Sequence, residues 1–224
     1  MNERVLITGG AGYLGSVMTP ALLQAGFRVT VLDSLLFSQT TLLDCCNSRM
    51  FEFVKGDICD WQTFKPLLDQ HDIIIPLAAI VGAPACSRNP TLTKLVNYDA
   101  HMRIVEHTSK SQRVVFPTTN SGYGIGEKNA FCTEESPLKP LSEYGQMKVE
   151  VEKAFLDKGN AITFRLATVF GMSPRMRMDL LVNDFVYKAL KEKVLVLFEE
   201  HFRRNFIHVR DVANAFLFAI NLFG

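Results

Sequence analysis

The sequence lacks several features that would point to particular protein classes. Lysine and arginine together number 24 and aspartate and glutamate 23, with no block of like charge, so no basic surface is expected to attract nucleic acid or an anionic membrane. The longest uncharged run, residues 73–87, is interrupted by Pro76 and Pro84 and is too short for a membrane span. The N-terminus carries no apolar signal segment. We therefore expect a cytoplasmic protein that binds a small molecule, with no nucleic-acid or membrane partner.

Metal-binding and redox motifs are also missing. The 5 cysteines, at positions 45, 46, 59, 86 and 132, have no metal-ligand spacing and form no C-x-x-C pair. The 5 histidines are scattered along the chain. The sequence thus predicts a protein of a reducing compartment without a bound metal.

The N-terminus contains a glycine motif between an apolar run and a helical pattern. The run at residues 4–7 leads into TGGAGYLG, with glycines at positions 9, 12 and 15. Such glycines allow a tight turn whose backbone amides approach a pyrophosphate at the N-terminus of the following helix. A second apolar run ends at Asp33, about twenty residues further on, where a carboxylate accepts hydrogen bonds from the adenosine ribose and disfavours a 2′-phosphate. The cofactor predicted here is NAD rather than NADP.

Apolar runs alternate with helical patterns along most of the chain. We predict strands at 4–7, 28–32, 51–54, 72–75, 113–116 and 161–166, and helices at about 13–25, 38–46, 60–70, 91–110 and 142–158, with Asp60 and Ser142 as N-caps. This alternation predicts an α/β fold of the Rossmann type, a doubly wound parallel sheet. The domain prediction is an NAD-binding domain at 1–168 and an incomplete substrate lobe at 169–224 that interleaves with the last elements of the sheet and includes a strand-like VLVLF segment.

A second group of residues carries the predicted chemistry. Tyr144 and Lys148 are four residues apart on a predicted helix and therefore share one face. An ammonium and a nicotinamide cation near the phenol would lower its pKa toward the working range of a base. Thr119 follows the strand at 113–116, and its hydroxyl is suited to orient a substrate oxygen. These three residues are the catalytic candidates.

Taken in order, these motifs closely resemble the extended short-chain dehydrogenase/reductase family of nucleotide-sugar epimerases and dehydratases. Further matches are KGDIC around Asp57, the strand end Leu77–Ala79, Asn97 in LVNYDA, and RRNFIHVRDVA, in which Arg204 takes the place of the family's diphosphate-binding arginine. The resemblance implies that NAD is bound by Gly9, Gly12, Tyr13, Leu14, Gly15, Asp33, Asp57, Ile58, Leu77, Ala78, Ala79, Asn97, Tyr144 and Lys148. It also implies a homodimer built from the helices at 91–110 and 142–158.

The reaction implied by the resemblance is transient oxidation of a sugar hydroxyl in a nucleotide-diphosphate sugar. Dehydratases of the family carry Thr-Asp-Glu at the strand end, whereas this chain has Thr119, Asn120 and Ser121. The missing carboxyl groups favour a 4-epimerase over a 4,6-dehydratase. A keto-sugar reductase and a non-catalytic NAD-binding sensor or scaffold are the alternatives. Asn120, Ser121, Arg175, Arg177 and Arg204 are the substrate-binding candidates, and Thr168, Phe170 and Cys86 depart from the family pattern.

Overall fold

A computed structural model describes residues 3–125, 131–198, 200–201 and 203–223. Six strands form one parallel sheet in the order β3-β2-β1-β4-β5-β6. They are β1 (Arg4–Thr8), β2 (Arg28–Asp33), β3 (Phe51–Lys55), β4 (Ile73–Pro76), β5 (Arg113–Thr119) and β6 (Ala161–Leu166). Both the Rossmann-type fold and the six predicted strands are confirmed.

Eight α-helices connect or follow these strands in the described part of the chain. They are α1 (Gly15–Gln24), α2 (Trp61–Gln70), α3 (Ala83–Arg88), α4 (Pro90–Lys94), α5 (Ala100–His107), α6 (Glu143–Lys158), α7 (Leu181–Lys191) and α8 (Val209–Asn221). The predicted caps are confirmed, because Asp60 accepts a hydrogen bond from the amide of Gln62 and Ser142 accepts one from the amide of Gly145. Two short strands, β7 (Thr168–Phe170) and β8 (Phe206–His208), form a separate parallel pair.

The apolar core lies on both faces of the sheet. Successive side chains of a strand point to opposite faces, so Val5 and Ile7 pack with α1 and α8 while Leu6 packs with α2, α5 and α6. Phe216 of α8 is completely buried in the first of these layers. The sheet is therefore covered on both faces, and only its strand ends are left for a ligand.

The prediction of a helix at 38–46 is wrong. The segment contains only a 3₁₀ turn at Leu43–Asn47, and both Leu35 and Ser38 have positive φ angles of 54° and 51°. Asp33 accepts hydrogen bonds from the Leu35 amide and the Gln39 side chain, so a carboxylate competes with helical hydrogen bonding here.

The long helix predicted at 91–110 is interrupted. A π-helical turn, Leu95–Asp99, separates α4 from α5, and α5 ends at His107. Asn97 lies in that turn with its side chain bonded outside the helix, and π turns of this kind are often found at functional sites.

The strand-like VLVLF segment at 194–198 is not a strand. Lys193 has a φ of 57°, which ends the helical path of α7, and the segment pairs with no described strand. An apolar alternating pattern forms a strand only where a neighbour supplies hydrogen bonds, and here β7 pairs instead with β8.

Candidate dinucleotide and sugar site

The glycine turn between β1 and α1 is closely packed. Gly9 has a φ of 70°, and a Cβ placed on it would lie 2.7 Å from the backbone of Ala78. A Cβ on Gly15 would lie 2.4 Å from the Cα of Gly10. Both positions therefore require glycine, one for its backbone angle and both for space.

The N-terminus of α1 is open to an anion. Leu14 precedes the helix without a side-chain cap, and within the described part of the chain the amides of Tyr13 and Leu14 have no hydrogen-bond acceptor. Unpaired amides and the helix dipole together favour a negatively charged group at this end. The turn is suited to the pyrophosphate that the sequence predicts.

Asp33 is nearly buried at the carboxyl end of β2, where it contacts this turn. One carboxylate oxygen accepts a 2.9 Å hydrogen bond from the Ala11 amide and the other accepts a 2.8 Å bond from Leu35. These bonds hold the carboxylate beside the turn. A second negative charge in the form of a ribose 2′-phosphate would be repelled there.

The end of β4 lies against the same turn. The Ala78 amide donates to the Thr8 hydroxyl over 3.3 Å, and Leu77 and Ala79 flank it. The buried Asn97 side chain accepts from the Ile80 amide and donates to the Ile80 carbonyl, both over 2.8 Å. Asn97 thus holds the loop that follows Ala79.

The predicted cofactor contacts after β3, Asp57 and Ile58, differ in their exposure. The Asp57 side chain is exposed and accepts a 2.9 Å hydrogen bond from the Cys59 amide. Ile58 is 3% exposed and belongs to the apolar layer beside α2. Asp57 is therefore available to a ligand, whereas Ile58 serves mainly as packing.

Lys148 is buried at the carboxyl half of β5. Its Nζ donates to the Pro117 carbonyl over 3.1 Å and lies 4.3 Å from the centre of the Phe116 ring. No carboxylate of the described residues forms an ion pair with it. Burial therefore lowers the pKa of Lys148 to about 7.

The pKa of the Tyr144 phenol differs from the prediction when no cofactor is bound. Burial raises the pKa of this phenol to about 12, the Cys86 thiol adds to the rise, and the Arg177 guanidinium opposes it. The sequence predicts instead a pKa lowered by Lys148 and the cofactor. In the protein alone desolvation outweighs the neighbouring positive charge, so the protein without its cofactor keeps the phenol protonated at neutral pH.

Thr119 ends β5 and begins a 3₁₀ turn, Asn120–Tyr123. Its hydroxyl accepts from the Ser121 amide over 3.2 Å and donates to the Ser121 hydroxyl over 3.1 Å. The Asn120 amide donates to Asn205 over 2.7 Å, which connects this turn to the residue before β8. The predicted polar strand end is therefore present and faces the segment that carries Arg204.

The three candidate arginines have different environments. Arg175 lies 4.2 Å above the Phe37 ring, and Arg177 is held by both carboxylate oxygens of Asp179. Arg204 is exposed and has no hydrogen bond or ion pair with the described residues. Arg175 and Arg177 both help to lower the pKa of Asp179, and no contact among the described residues joins either of them to Arg204.

Two residues near the site were not candidates in the sequence. Cys86 is close enough to Tyr144 to alter the pKa of its phenol. Asn183 is buried and bonds to Tyr13. Both contacts join segments far apart in the sequence, so no local pattern identifies them, although the sequence does mark Cys86 as a departure from the family pattern.

The glycine turn leads to a first testable prediction. Gly15→Ala is expected to abolish NAD binding, because its Cβ would meet backbone atoms that cannot move without opening the turn. Isothermal titration with NAD measures the loss. Gly26→Ala is the matched control for added bulk, since no atom lies within 4 Å of a Cβ there, although its positive φ will cost some stability. Retention of parental affinity by Gly15→Ala would contradict the assignment of the turn.

A parallel sheet with a glycine turn and an acidic β2 end, together with a tyrosine–lysine pair on the adjacent helix α6, defines a dinucleotide-dependent enzyme of the short-chain dehydrogenase type. The chain belongs to the NAD-dependent epimerase/dehydratase family, whose family model matches residues 5–223. NAD is thus the cofactor of its family.

The similar curated proteins include both epimerases and dehydratases, the two activities in the family name. The chain is 29% identical over 228 residues to a dTDP-glucose 4,6-dehydratase of Streptomyces niveus, covering 95% of this chain and 67% of that protein. It is 33% identical over 158 residues to UDP-glucose 4-epimerase 2 of Oryza sativa subsp. japonica, covering 66% of this chain and only 38% of that protein. The chain therefore aligns with part of each relative.

Solved structures support the same fold. A UDP-glucuronic acid 4-epimerase from Bacillus cereus in complex with NAD has a TM-score of 0.83 at 25% identity, covering 97% of this chain and 74% of that one. The NAD-dependent NDP-hexosamine 5,6-dehydratase TunA has the same TM-score at 25% identity, covering 98% and 72%. Among the described helices, none combines the length and apolar character needed to cross a bilayer.

Proposed function

We propose that the chain is an NAD-dependent nucleotide-sugar epimerase of the 4-epimerase type. The observation that carries this proposal is the placement of Tyr144 and Lys148 on one face of α6, with the Lys148 ammonium bonded to the backbone of β5 two residues before Thr119. A protein that only bound NAD would not need these three groups at one strand end.

The proposed reaction begins at a sugar hydroxyl. Thr119 orients that hydroxyl by hydrogen bonding, and Tyr144 removes its proton while the carbon loses a hydride. Bound NAD supplies the hydride acceptor and, later, the hydride donor. Tyr144 returns the proton after the keto sugar has presented its other face, so atoms and electrons balance over the cycle.

Epimerisation is favoured over 4,6-dehydration by the residues after Thr119. Loss of water from adjacent carbons needs an acid and a base, and Asn120 and Ser121 supply neither at neutral pH. The Asn120 amide is moreover bonded to Asn205. Dehydration is kept as the second candidate because of the similarity to a dTDP-glucose 4,6-dehydratase.

Substrate binding is assigned to the polar and cationic residues around this strand end. We infer that Arg204 binds the diphosphate, because its guanidinium is exposed and has no partner among the described residues. Arg177 is assigned to the sugar side of the site, close to Tyr144, and Arg175 to its cofactor side. Asn120 and Ser121 would contact the sugar.

The proposal includes two domains and a homodimer. Residues 1–168 form the NAD-binding domain and 169–224 contribute to a substrate lobe, with α8 packed on α1 as the interleaved element. The proposed homodimer is the one predicted through the helices at 91–110 and 142–158, seen here at residues 90–107 and 143–158, and it would cover the exposed Leu95 and Leu156. We also infer a cytoplasmic location.

The test is a panel of nucleotide sugars incubated with the purified protein and NAD, without external reductant. Mass spectrometry and proton NMR are expected to find an isomer of unchanged mass. Loss of one water would replace epimerisation by dehydration. Conversion only of a keto sugar with NADH would favour a reductase, and NAD binding with no conversion of any substrate would favour the sensor or scaffold alternative.

A further inference from the structure

The segment Gly171–Arg177, here called the strap, lies against the start of α1. The Tyr13 hydroxyl donates to the Gly171 carbonyl over 2.7 Å. The Ser173 hydroxyl donates to the Tyr13 carbonyl over 2.8 Å and lies 2.9 Å from the Ser16 hydroxyl. The strap therefore contacts the two residues that flank the open helix N-terminus.

Asn183 joins both ends of the strap to Tyr13. Its amide nitrogen donates to the Arg177 carbonyl over 2.9 Å and to the Tyr13 hydroxyl over 3.3 Å, and its oxygen accepts from the Gly171 amide over 3.0 Å. Asn183 is 5% exposed and Tyr13 is 8% exposed. Since buried polar groups of this kind are costly to leave unpaired, the arrangement is strongly specified.

The hydroxyl of Tyr13 acts as a donor in this arrangement. Burial raises its pKa, so the proton stays on the phenol and remains available to Gly171. Tyr13 thus uses its side chain to hold the strap, while its amide faces the proposed pyrophosphate position. Tyr13 is therefore part of both the strap contacts and the glycine turn.

The strap spans the site from its cofactor side to its sugar side. Arg175 is stacked on Phe37, in the loop that follows Asp33. Arg177 Nη2 lies 3.9 Å from the position that a Gly82 Cβ would take. The positive charge of Arg177 acts to lower the pKa of the Tyr144 phenol. A displacement of the strap would therefore disturb both sides together.

We propose that Tyr13 and Asn183 are positioning residues that fix the strap on the glycine turn. NAD then leaves only when the strap lifts. The same contacts hold Arg177 beside Tyr144. The inference rests on the proposed function in placing NAD at the turn and Tyr144 at the reacting carbon. It adds that cofactor retention and substrate placement are coupled through one buried hydrogen-bond network.

Tyr13→Phe tests this coupling because it removes one hydroxyl and keeps the ring. The protein is loaded with labelled NAD, and release into excess unlabelled NAD is followed. We expect about tenfold faster release, which corresponds to about 1.4 kcal/mol, when the hydroxyl that bonds to both Gly171 and Asn183 is removed. Ser173→Ala removes different contacts of the strap and is expected to act in the same direction.

Tyr187→Phe is the matched control, since Tyr187 lies on α7 with its hydroxyl bonded only to Lys191 among the described residues. Hydrogen exchange gives a readout independent of activity: NAD is expected to slow exchange of the strap amides in the parent and to slow it less in Tyr13→Phe. Equal release rates in the parent, Tyr13→Phe and Ser173→Ala would overturn the proposal, as would a parent that does not retain NAD. Release is measured without a sugar, so absence of epimerisation leaves this test decisive.

Discussion

Tyr144→Phe is expected to lower turnover by about 10²- to 10⁴-fold while NAD remains bound, because the substitution removes only the phenolic oxygen that is proposed to accept the substrate proton. The ring still packs against the same neighbours, so the fold should be unchanged. Turnover on the nucleotide sugar identified by NMR measures the first effect, and titration with NAD measures the second. Tyr98→Phe, in the π-helical turn and packed against the apolar layer that contains Leu6, is the control for removing a tyrosine hydroxyl.

The proposed role of Tyr144 also predicts the direction in which kcat/KM changes with pH. A phenol with a pKa near 12 is a base only in its small deprotonated fraction, so kcat/KM should increase with pH until the phenol is ionised. A bound nicotinamide cation would lower that pKa and move the rise toward neutral pH. The rising limb should therefore disappear in Tyr144→Phe. Parental turnover in this variant, or an unchanged pH profile, would contradict the role of Tyr144.

The sheet and its ligand-binding edge could be predicted because local signals specify them. The mostly buried strands β1, β2, β4 and β5 give clear apolar runs, and the partly exposed β3 and β6 give shorter or mixed ones. The caps Asp60 and Ser142 act on amides only two or three residues away. The glycine turn is also local, since its spacing reflects close backbone approach at Gly9 and Gly15. Patterns of this range are visible in a single sequence.

The errors arose where side-chain hydrogen bonds override a periodic pattern. Asp33 accepts hydrogen bonds from the Leu35 amide and the Gln39 side chain, and these contacts compete with the helix predicted at 38–46. Asn97 bonds to Ile80 across seventeen positions and lies in the π turn that divides the predicted helix at 91–110. The strap contacts, such as the one between Tyr13 and Gly171, cross most of the chain. No periodicity encodes such pairs.

At Lys148 the proposed catalytic role and the stability of the fold are opposed. Lys148 is 3% exposed, and among the described residues its ammonium donates to one backbone carbonyl. Because burial lowers its folded pKa to about 7 from an ordinary value of 10.5, the unfolded chain binds more protons than the folded one between those values. The stability cost is therefore greatest below pH 7 and fades as the pH approaches 10.5.

Lys148→Met is accordingly expected to abolish turnover and to raise stability at pH 6 by roughly 1–2 kcal/mol, since methionine fills the same buried space without a charge to desolvate. Thermal unfolding at pH 6 and pH 9 measures the change, and each kcal/mol should raise Tm by about 2–4 °C. The gain should be smaller at pH 9. Lys153→Met, exposed on the same helix, should change Tm little at either pH. A lower Tm for Lys148→Met at pH 6 would mean that the buried ammonium stabilises the fold, and the opposition between function and stability at this position would then be wrong.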